Sequence, residues 1–290
     1  MTKEERFRNI AKGISNKDCS KLPELCPDQY VGTIKDIQTD YFSKRTPIFN
    51  DGEFSVIEKN IPKAENILIL ILESPHKDEF YKEDVKDKTG TVIHHKGAPI
   101  GPANGTTGCN IREHIAKIFP NFSDYHLILM NAIPFQCSLG VATEHFRDSV
   151  FNAAWNTDAT GKDFFEDRLK KLLDQLQEKS KNVVIVNACT GAKSNPNEPL
   201  CCKVCKSIVS VLENYCNEKE CPIEFYHIHH PSAWNQINRT RNEYFWKTDK
   251  TAVSPEDKEV VTFDCEKNRW WKKYLDTENL TFSCFGKLEY

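Results

Sequence analysis

No stretch of this 290-residue chain approaches the roughly 18 consecutive apolar residues that mark a membrane-spanning helix, so no membrane partner is expected. The opening "MTKEERFRNIAKG" lacks the apolar centre of a secretory signal, and a cytoplasmic location is expected. A large excess of one charge is also missing. Lys and Arg number 39 against 42 Asp and Glu, a net charge of −3. That balance excludes a uniformly basic nucleic-acid binder but permits a local positive groove. The 12 cysteines lack the density of a small disulfide scaffold and are expected to be reduced. There is no internal repeat, no low-complexity tract, no G-K-[ST] phosphate loop, no H-E-x-x-H pair and no Asp-rich metal set. These absences disfavour a P-loop nucleotide hydrolase, a zinc hydrolase and a metal-dependent phosphatase.

What is present is the balance of a soluble globular protein, 39% hydrophobic and 28% charged, in a chain long enough to bury a substantial core. Four short apolar runs stand out: "NILILIL" (66–72), "YHLILM" (125–130), "NVVIVN" (182–187) and "EFYHIHH" (224–230). The first three are nearly continuous aliphatic segments, the pattern of strands covered on both faces. Helical stripes lie between them. Ile111, Ile115, Ile118 and Phe119 align over 109–119; Phe165, Leu169, Leu172, Leu173 and Leu176 align over 162–180. A third stripe, Leu200, Val204, Ile208, Val211, Leu212 and Tyr215, runs over 200–216. Strands alternating with helices predict an α/β domain with a central, mostly parallel sheet of about four strands flanked by helices. A single domain over 1–290 is expected, its core at about 64–235. Residues 1–60, the polar insert near 81–97 and the tail 248–290 are expected at the periphery, with a closing helix at "RWWKKYL" (269–275).

Ligands of open parallel sheets gather beyond the carboxyl ends of the strands. Here those ends read "ESPHKDE" (73–79), "NAIPFQ" (131–136), "NACTGA" (187–192) and "HHPSAW" (229–234), with a further polar loop, "GPANGTTGCN" (101–110), ahead of a helix.

Together these segments resemble the uracil-DNA glycosylase superfamily, nearest its iron–sulfur branch. "LESPHKDE" is similar to that branch's G-E-A-P-G-x-x-E motif, with Glu73, Pro75 and Glu79 in place. "GPANGTTGCNIREHIAKIF" resembles its P-x-x-G-x-x-G loop opening an apolar helix. "LILMNAIPF" resembles the strand ending in a base-reading asparagine, here Asn131, and "HHPSAW" the H-P-S-P-L motif. The likeness covers about 170 residues in the right order. It implies a glycosylase-like three-layer fold, DNA as partner, and a nucleotide flipped from the stack before its N-glycosidic bond is hydrolysed. It assigns Glu73 to the sugar cation or attacking water, and His230 to the charge developing on the departing base. It places Ser74 where many members carry a water-activating Asp or Asn. It favours DNA-backbone contact for Pro75, Gly105 and Thr106; Ser232, Asn235, Arg239 and Arg241 are further candidates for holding phosphates around the extruded nucleotide, with solvated surface as the other reading of the arginine pair.

Several residues carry two readings. Trp234 is either a wedge filling the space left by the flipped nucleotide or a core tryptophan. Asn131 is either the base reader or a polar strand-end cap, and the 101–108 loop either cradles a phosphate or is a plain turn. His227 and His229 share a strand face, too few for a catalytic zinc, and His227 is expected to be packed. Cys202, Cys205, Cys216 and Cys221 have metal-like spacing, but the helical stripe spreads the first three around a helix. Cys19 and Cys26 do not form the C-x-x-C of the iron–sulfur branch, so no cofactor is expected. Cys189 is expected to be packed rather than nucleophilic.

Two departures bear on substrate. Ala103 stands where the branch has a stacking phenylalanine, and His76 where it has a glycine, which predicts a wider, more polar pocket. The expected reaction is therefore monofunctional glycosylase action on a bulky modified pyrimidine, such as the glucosylated hydroxymethylcytosine of phage DNA, in antiviral defence. Ordinary uracil repair and a non-catalytic nucleic-acid-binding module are the alternatives, and no obligate protein partner is expected.

Overall fold

The computed structural model describes residues 1–19, 22, 25–37, 46–47, 65–101, 103–119, 122–140, 143–158, 160–177, 180–190, 200–218, 223–228, 230–236 and 272–273. The aliphatic runs become the middle of a seven-stranded sheet. Its strands are β1 (Gln29–Thr33), β2 (Thr46–Pro47), β3 (Glu65–Leu72), β6 (His126–Asn131), β7 (Ser180–Asn187), β8 (Ile223–His227) and β9 (Lys272–Lys273), in the order β2-β1-β6-β3-β7-β8-β9. The four inner strands β6, β3, β7 and β8 are parallel. The outer strands β1, β2 and β9 add antiparallel. The expected closing helix over 269–275 is thus corrected where it is described, because Lys272 and Lys273 pair with His227 and Tyr226. In chain order the parallel strands run 2-1-3-4, so the connection leaving β3 runs to β6 on one side while the connection leaving its neighbour β7 runs to β8 on the other. That reversal opens a crevice at the carboxyl end of β3 and β7.

The two-residue period of β3 explains why the run has no polar interruption. Ile67, Ile69 and Ile71 enter one core, with α1 (Lys3–Ser15), α3 (Thr143–Trp155), α4 (Lys162–Gln177) and α5 (Leu200–Glu218). Leu68, Leu70 and Leu72 enter the other, with α2 (Thr106–Ile118) and the 3₁₀ turn Pro231–Gln236. Both faces are covered, and each fully buried aliphatic side chain contributes about 1.5–3 kcal/mol. Among the described residues no helix is long and apolar enough to cross a membrane.

The described part of residues 1–60 is not peripheral, which corrects that expectation. α1 begins with a reciprocal cap in which Glu5 N–H donates to Thr2 Oγ1 and Thr2 N–H donates to Glu5 Oε2. Its Phe7 is buried and stacks on Phe135 at 4.8 Å, beyond the end of β6. β1 pairs with β6 through a register shift between Tyr30 and Gly32. Just before it, Asp28 forms a buried ion pair with Arg168 of α4, at 3.0 and 3.2 Å. Arg168 also donates to the carbonyls of Asn131 and Ala132. This cation pins the chain where β6 ends.

The insert is a small hairpin, β4 (Val85–Lys86) against β5 (Val92–His94), and most of it is exposed. Its stem is closed by Tyr81 N–H to Ala98 O, Gly97 N–H to Tyr81 O, and Ile100 N–H to Glu79 O. The next residue, Gly101, has φ +139° and lies so close to the Gln29 side chain that a Cβ would sit 2.3 Å from it. Glycine adopts that φ without strain, which sets the path of the loop leading into α2.

Candidate active site

The segments that follow all four parallel strands line one cavity of about 250 Å³. β3 contributes Leu72 and the turn Glu73, Ser74, Pro75 and His76, with Glu79 beyond it. The segment after β6 contributes Ser138, that after β7 contributes Thr190, and that after β8 contributes His230 and Ser232. α2 presents its first residues, Gly105 to Thr107, and α3 presents Arg147. Two side-chain contacts tie these walls together: Asn104 Nδ2 donates to Asp78 O at 3.0 Å, and buried Asn110 Nδ2 donates to Pro231 O at 2.9 Å. The cavity therefore lies in the crevice that the strand order creates.

Glu73 is only 5% exposed. Arg147 Nε lies 3.1 Å from its Oε1 and 2.8 Å from Asp148 Oδ1. Glu73 Oε2, Ser138 Oγ and Thr190 Oγ1 make no hydrogen bond among the described residues. Buried polar atoms without partners are costly in a folded protein, so three of them on one cavity wall suit a polar ligand or ordered water. Burial pushes the Glu73 carboxyl up to about 7. Arg147 opposes that rise, nearby Asp148 adds to it, and the Thr190 main-chain N–H acts with Arg147. A carboxyl poised near neutrality can bear either a proton or a charge at working pH.

His230 is neutral for the converse reason. Desolvation, with Arg147 as the second cause, pushes it down to about 3. Its Nδ1 accepts the Ser232 main-chain N–H at 3.2 Å and lies 2.9 Å from Ser232 Oγ. A main-chain N–H can only donate, so the ring proton resides on Nε2, and the imidazole is an uncharged donor. The cavity thus holds an acid–base carboxyl and a neutral hydrogen-bond donor.

Glu73, Ser74, Pro75, His76, Gly105, Thr106, His230 and Ser232 are brought together on this cavity. Gly105 precedes α2 and packs on Asp78, where a Cβ would approach to 3.3 Å. His76 stands at the rim, its Nδ1 accepting Asp78 N–H at 3.4 Å. Three expectations are corrected. Asn131 is 1% exposed and does not line the cavity; its main chain is held by Asp28 and Arg168 instead. Ala103 is fully buried at φ 55° and sits in the α2 core, so it does not widen the pocket wall. Trp234 is fully buried against Phe119, ring centroids 6.3 Å apart and edge-to-face. A side chain with no exposed surface cannot enter a DNA stack, so the core reading of Trp234 holds. Trp234→Ala is expected to lower stability by about 3–5 kcal/mol, measured as a lower denaturant midpoint. Arg239, Asn235's side chain, Arg241 and His229 lie outside the described residues, as does the side chain of His227.

Sequence reasoning missed Arg147, Ser138, Thr107 and Thr190. The available signal for Arg147 was position: it lies in the second turn of a helix that begins shortly beyond a strand's carboxyl end. Cys189, Cys201 and Cys205 gather around the buried Asn187. Asn187 Nδ2 donates to Cys201 O and Cys205 Sγ, both at 2.9 Å, and its Oδ1 accepts Cys189 N–H at 3.0 Å. Burial holds the Cys189 thiol well above its ordinary value, which keeps it a thiol rather than a nucleophilic thiolate. Cys202 and Cys205 are buried on α5; Cys221 and the Cys216 side chain lie outside the described residues. Among the described residues, no three His, Cys, Asp or Glu side chains gather as a metal site.

Comparison with protein-family models, with curated proteins and with solved structures finds no match.

Proposed function

We propose that the chain is a monofunctional DNA glycosylase with a uracil-DNA glycosylase-like three-layer fold, acting in the cytoplasm on a bulky modified pyrimidine. The observation that carries this reading is the meeting of Glu73 and His230, 157 residues apart in sequence, on one cavity at the strand reversal. Hydrolysis breaks the C1′–N bond with both electrons leaving on the base; water then adds to the cationic sugar and sheds a proton, and the base anion takes up one from solvent. Glu73, once ionised, stabilises that cation and orients the water. His230, with its proton on Nε2, donates a hydrogen bond to the anion forming on the base, and its neutrality avoids a competing proton loss.

The cavity wall favours a polar substituent. Its described lining contains no Phe, Tyr or Trp to stack on a plain base, while Ser74, His76, Thr107, Ser138 and Thr190 offer hydrogen bonds. Base reading passes from Asn131 to these groups. A glucosylated hydroxymethylcytosine has hydroxyls for such a wall, in keeping with a defence role against phage. Gly105, Thr106 and Ser232 are then the contacts for the DNA backbone at the cavity mouth.

Purified protein incubated separately with glucosylated phage DNA and uracil-containing DNA, with released bases identified by mass spectrometry, tests this. Release of the glucosylated base, leaving alkali-sensitive abasic sites, is expected. Release of uracil alone assigns ordinary repair, and DNA retention without base release assigns the non-catalytic module.

A further inference from the structure

We propose that Arg147 is the positioning residue of this cavity: its planar guanidinium, braced on Asp148, clamps Glu73 and holds its carboxylate in one orientation at the cavity wall. The kinetic arm of this inference rests on the glycosylase reading; the ionisation arm does not. The geometry is specific. Arg147 Nε is shared between Glu73 Oε1 at 3.1 Å and Asp148 Oδ1 at 2.8 Å, while the same side chain forms part of the cavity wall. Oε1 is therefore engaged and Oε2 makes no hydrogen bond among the described residues. A carboxylate gripped on one oxygen presents the other in a set direction, and pre-set direction is what a transition-state contact needs.

The charged and titratable groups around Glu73 come from every neighbouring segment. α3 supplies Arg147 and Asp148; the segments after β6 and β7 supply Cys137 and Cys189. His230, His76 and Glu79 line the same cavity. Burial raises both thiols, so they stay neutral. Arg147 is the one cation among the described residues in contact with Glu73. It favours the carboxylate against burial and Asp148, and it also disfavours a proton on His230. One side chain thus biases both reactive groups toward the protonation states the reaction uses. Lysine would carry the charge but on a flexible stem, without the rigid planar group that holds Nε between the two carboxylates.

The test is a carbon-13 NMR titration of Glu73, its resonance assigned with Glu73→Gln, in wild type, Arg147→Met, Arg147→Gln and Arg147→Lys. In the two neutral variants the midpoint is expected to rise by about 1–3 pH units, the usual effect of losing an adjacent opposite charge. Base release at pH 7 then falls about fivefold for a one-unit rise and about 500-fold for three, and it recovers as pH is raised toward the new midpoint. A general structural defect would not recover. Arg147→Lys keeps the midpoint near wild type but lowers kcat with little change in KM. An unshifted midpoint in a folded neutral variant overturns the proposal. If neither neutral variant folds, Arg147→Lys judges it alone: a fall in kcat supports the clamp, and wild-type kinetics overturn it. A shifted midpoint in a protein whose wild type releases no base sinks the glycosylase reading and leaves the clamp standing.

Discussion

Glu73→Gln is expected to slow base release by about 100- to 1,000-fold, the usual loss when one preorganised charge contact to a transition state is removed. DNA retention should be nearly unchanged, because the substitution keeps the size of the side chain. Rate against pH separates this from mere disturbance of the cavity. On the proposed mechanism the active form of the wild type is the carboxylate, so the rate is expected to climb as pH rises through about 7, the value to which burial raises Glu73. The variant has no such titration and its residual rate is flat there. Stability moves the other way. The folded carboxyl titrates near 7, above its ordinary 4.5, so the folded state binds more protons than the unfolded chain between those values. Its contribution is complete below 4.5 and lost as pH rises through 7. At pH 8 the glutamine variant is therefore expected to be more stable, by on the order of 1–3 kcal/mol, less whatever Arg147 loses with its partner. Parallel measurement of single-turnover rates and urea midpoints at pH 5.5 and pH 8 checks both signs.

Arg168→Ala is expected to cost the fold about 3–5 kcal/mol. Arg168 and Asp28 are each 1% exposed, and removal of the guanidinium strands a carboxylate inside the protein. It also strips a donor from the Asn131 and Ala132 carbonyls. Desolvation already raises Asp28 to about 7, with Arg168 as the main opposing influence, so the variant's Asp28 rises further. The loss should thus be larger at pH 8, where the wild-type pair is ionised and the variant's buried carboxyl must hold a proton, than at pH 5, where Asp28 is protonated in both folded proteins. Double substitution of Asp28→Asn with Arg168→Met is expected to cost less than the sum of the two single changes, because neither charge is left unpaired. Chemical denaturation of the four proteins measures that difference.

How far the sequence announced this molecule depends on what each segment buries. β3, β6 and β7 are covered on both faces, so their residues form aliphatic runs with no rival reading as surface. α2, α4 and α5 each turn one long stripe inward, and a 3.6-residue period exposes that stripe to inspection. α1 escaped because a 13-residue helix that buries only Phe7 and Ala11 is otherwise a charged surface segment. β1 escaped because five residues interrupted at Gly32 carry too little pattern. The rule that ligands collect at strand ends led to Glu73, Ser74, His76, His230 and Ser232, which do share a cavity. It failed where adjacency in sequence was taken for adjacency to the cavity. Asn131 and Trp234 sit beside wall residues in the chain, yet the backbone carries one behind a buried ion pair and the other under α2. Arg147 reaches the cavity from a helix flank, and no local pattern encodes a convergence made only by the fold.

The closed stem of the 81–97 hairpin has an evolutionary consequence. Main-chain bonds between Glu79 and Ile100, and between Tyr81 and Gly97 or Ala98, seal its base, so residues beyond the seal form a graftable cassette. Doubling the length of such a loop adds only about 0.6 kcal/mol of closure entropy. Segments of different size or charge can be exchanged there without shifting Glu79 on one side or the Gly101 approach on the other. Changes beyond the seal can thus retune what the protein touches outside its cavity while leaving the cavity wall in place.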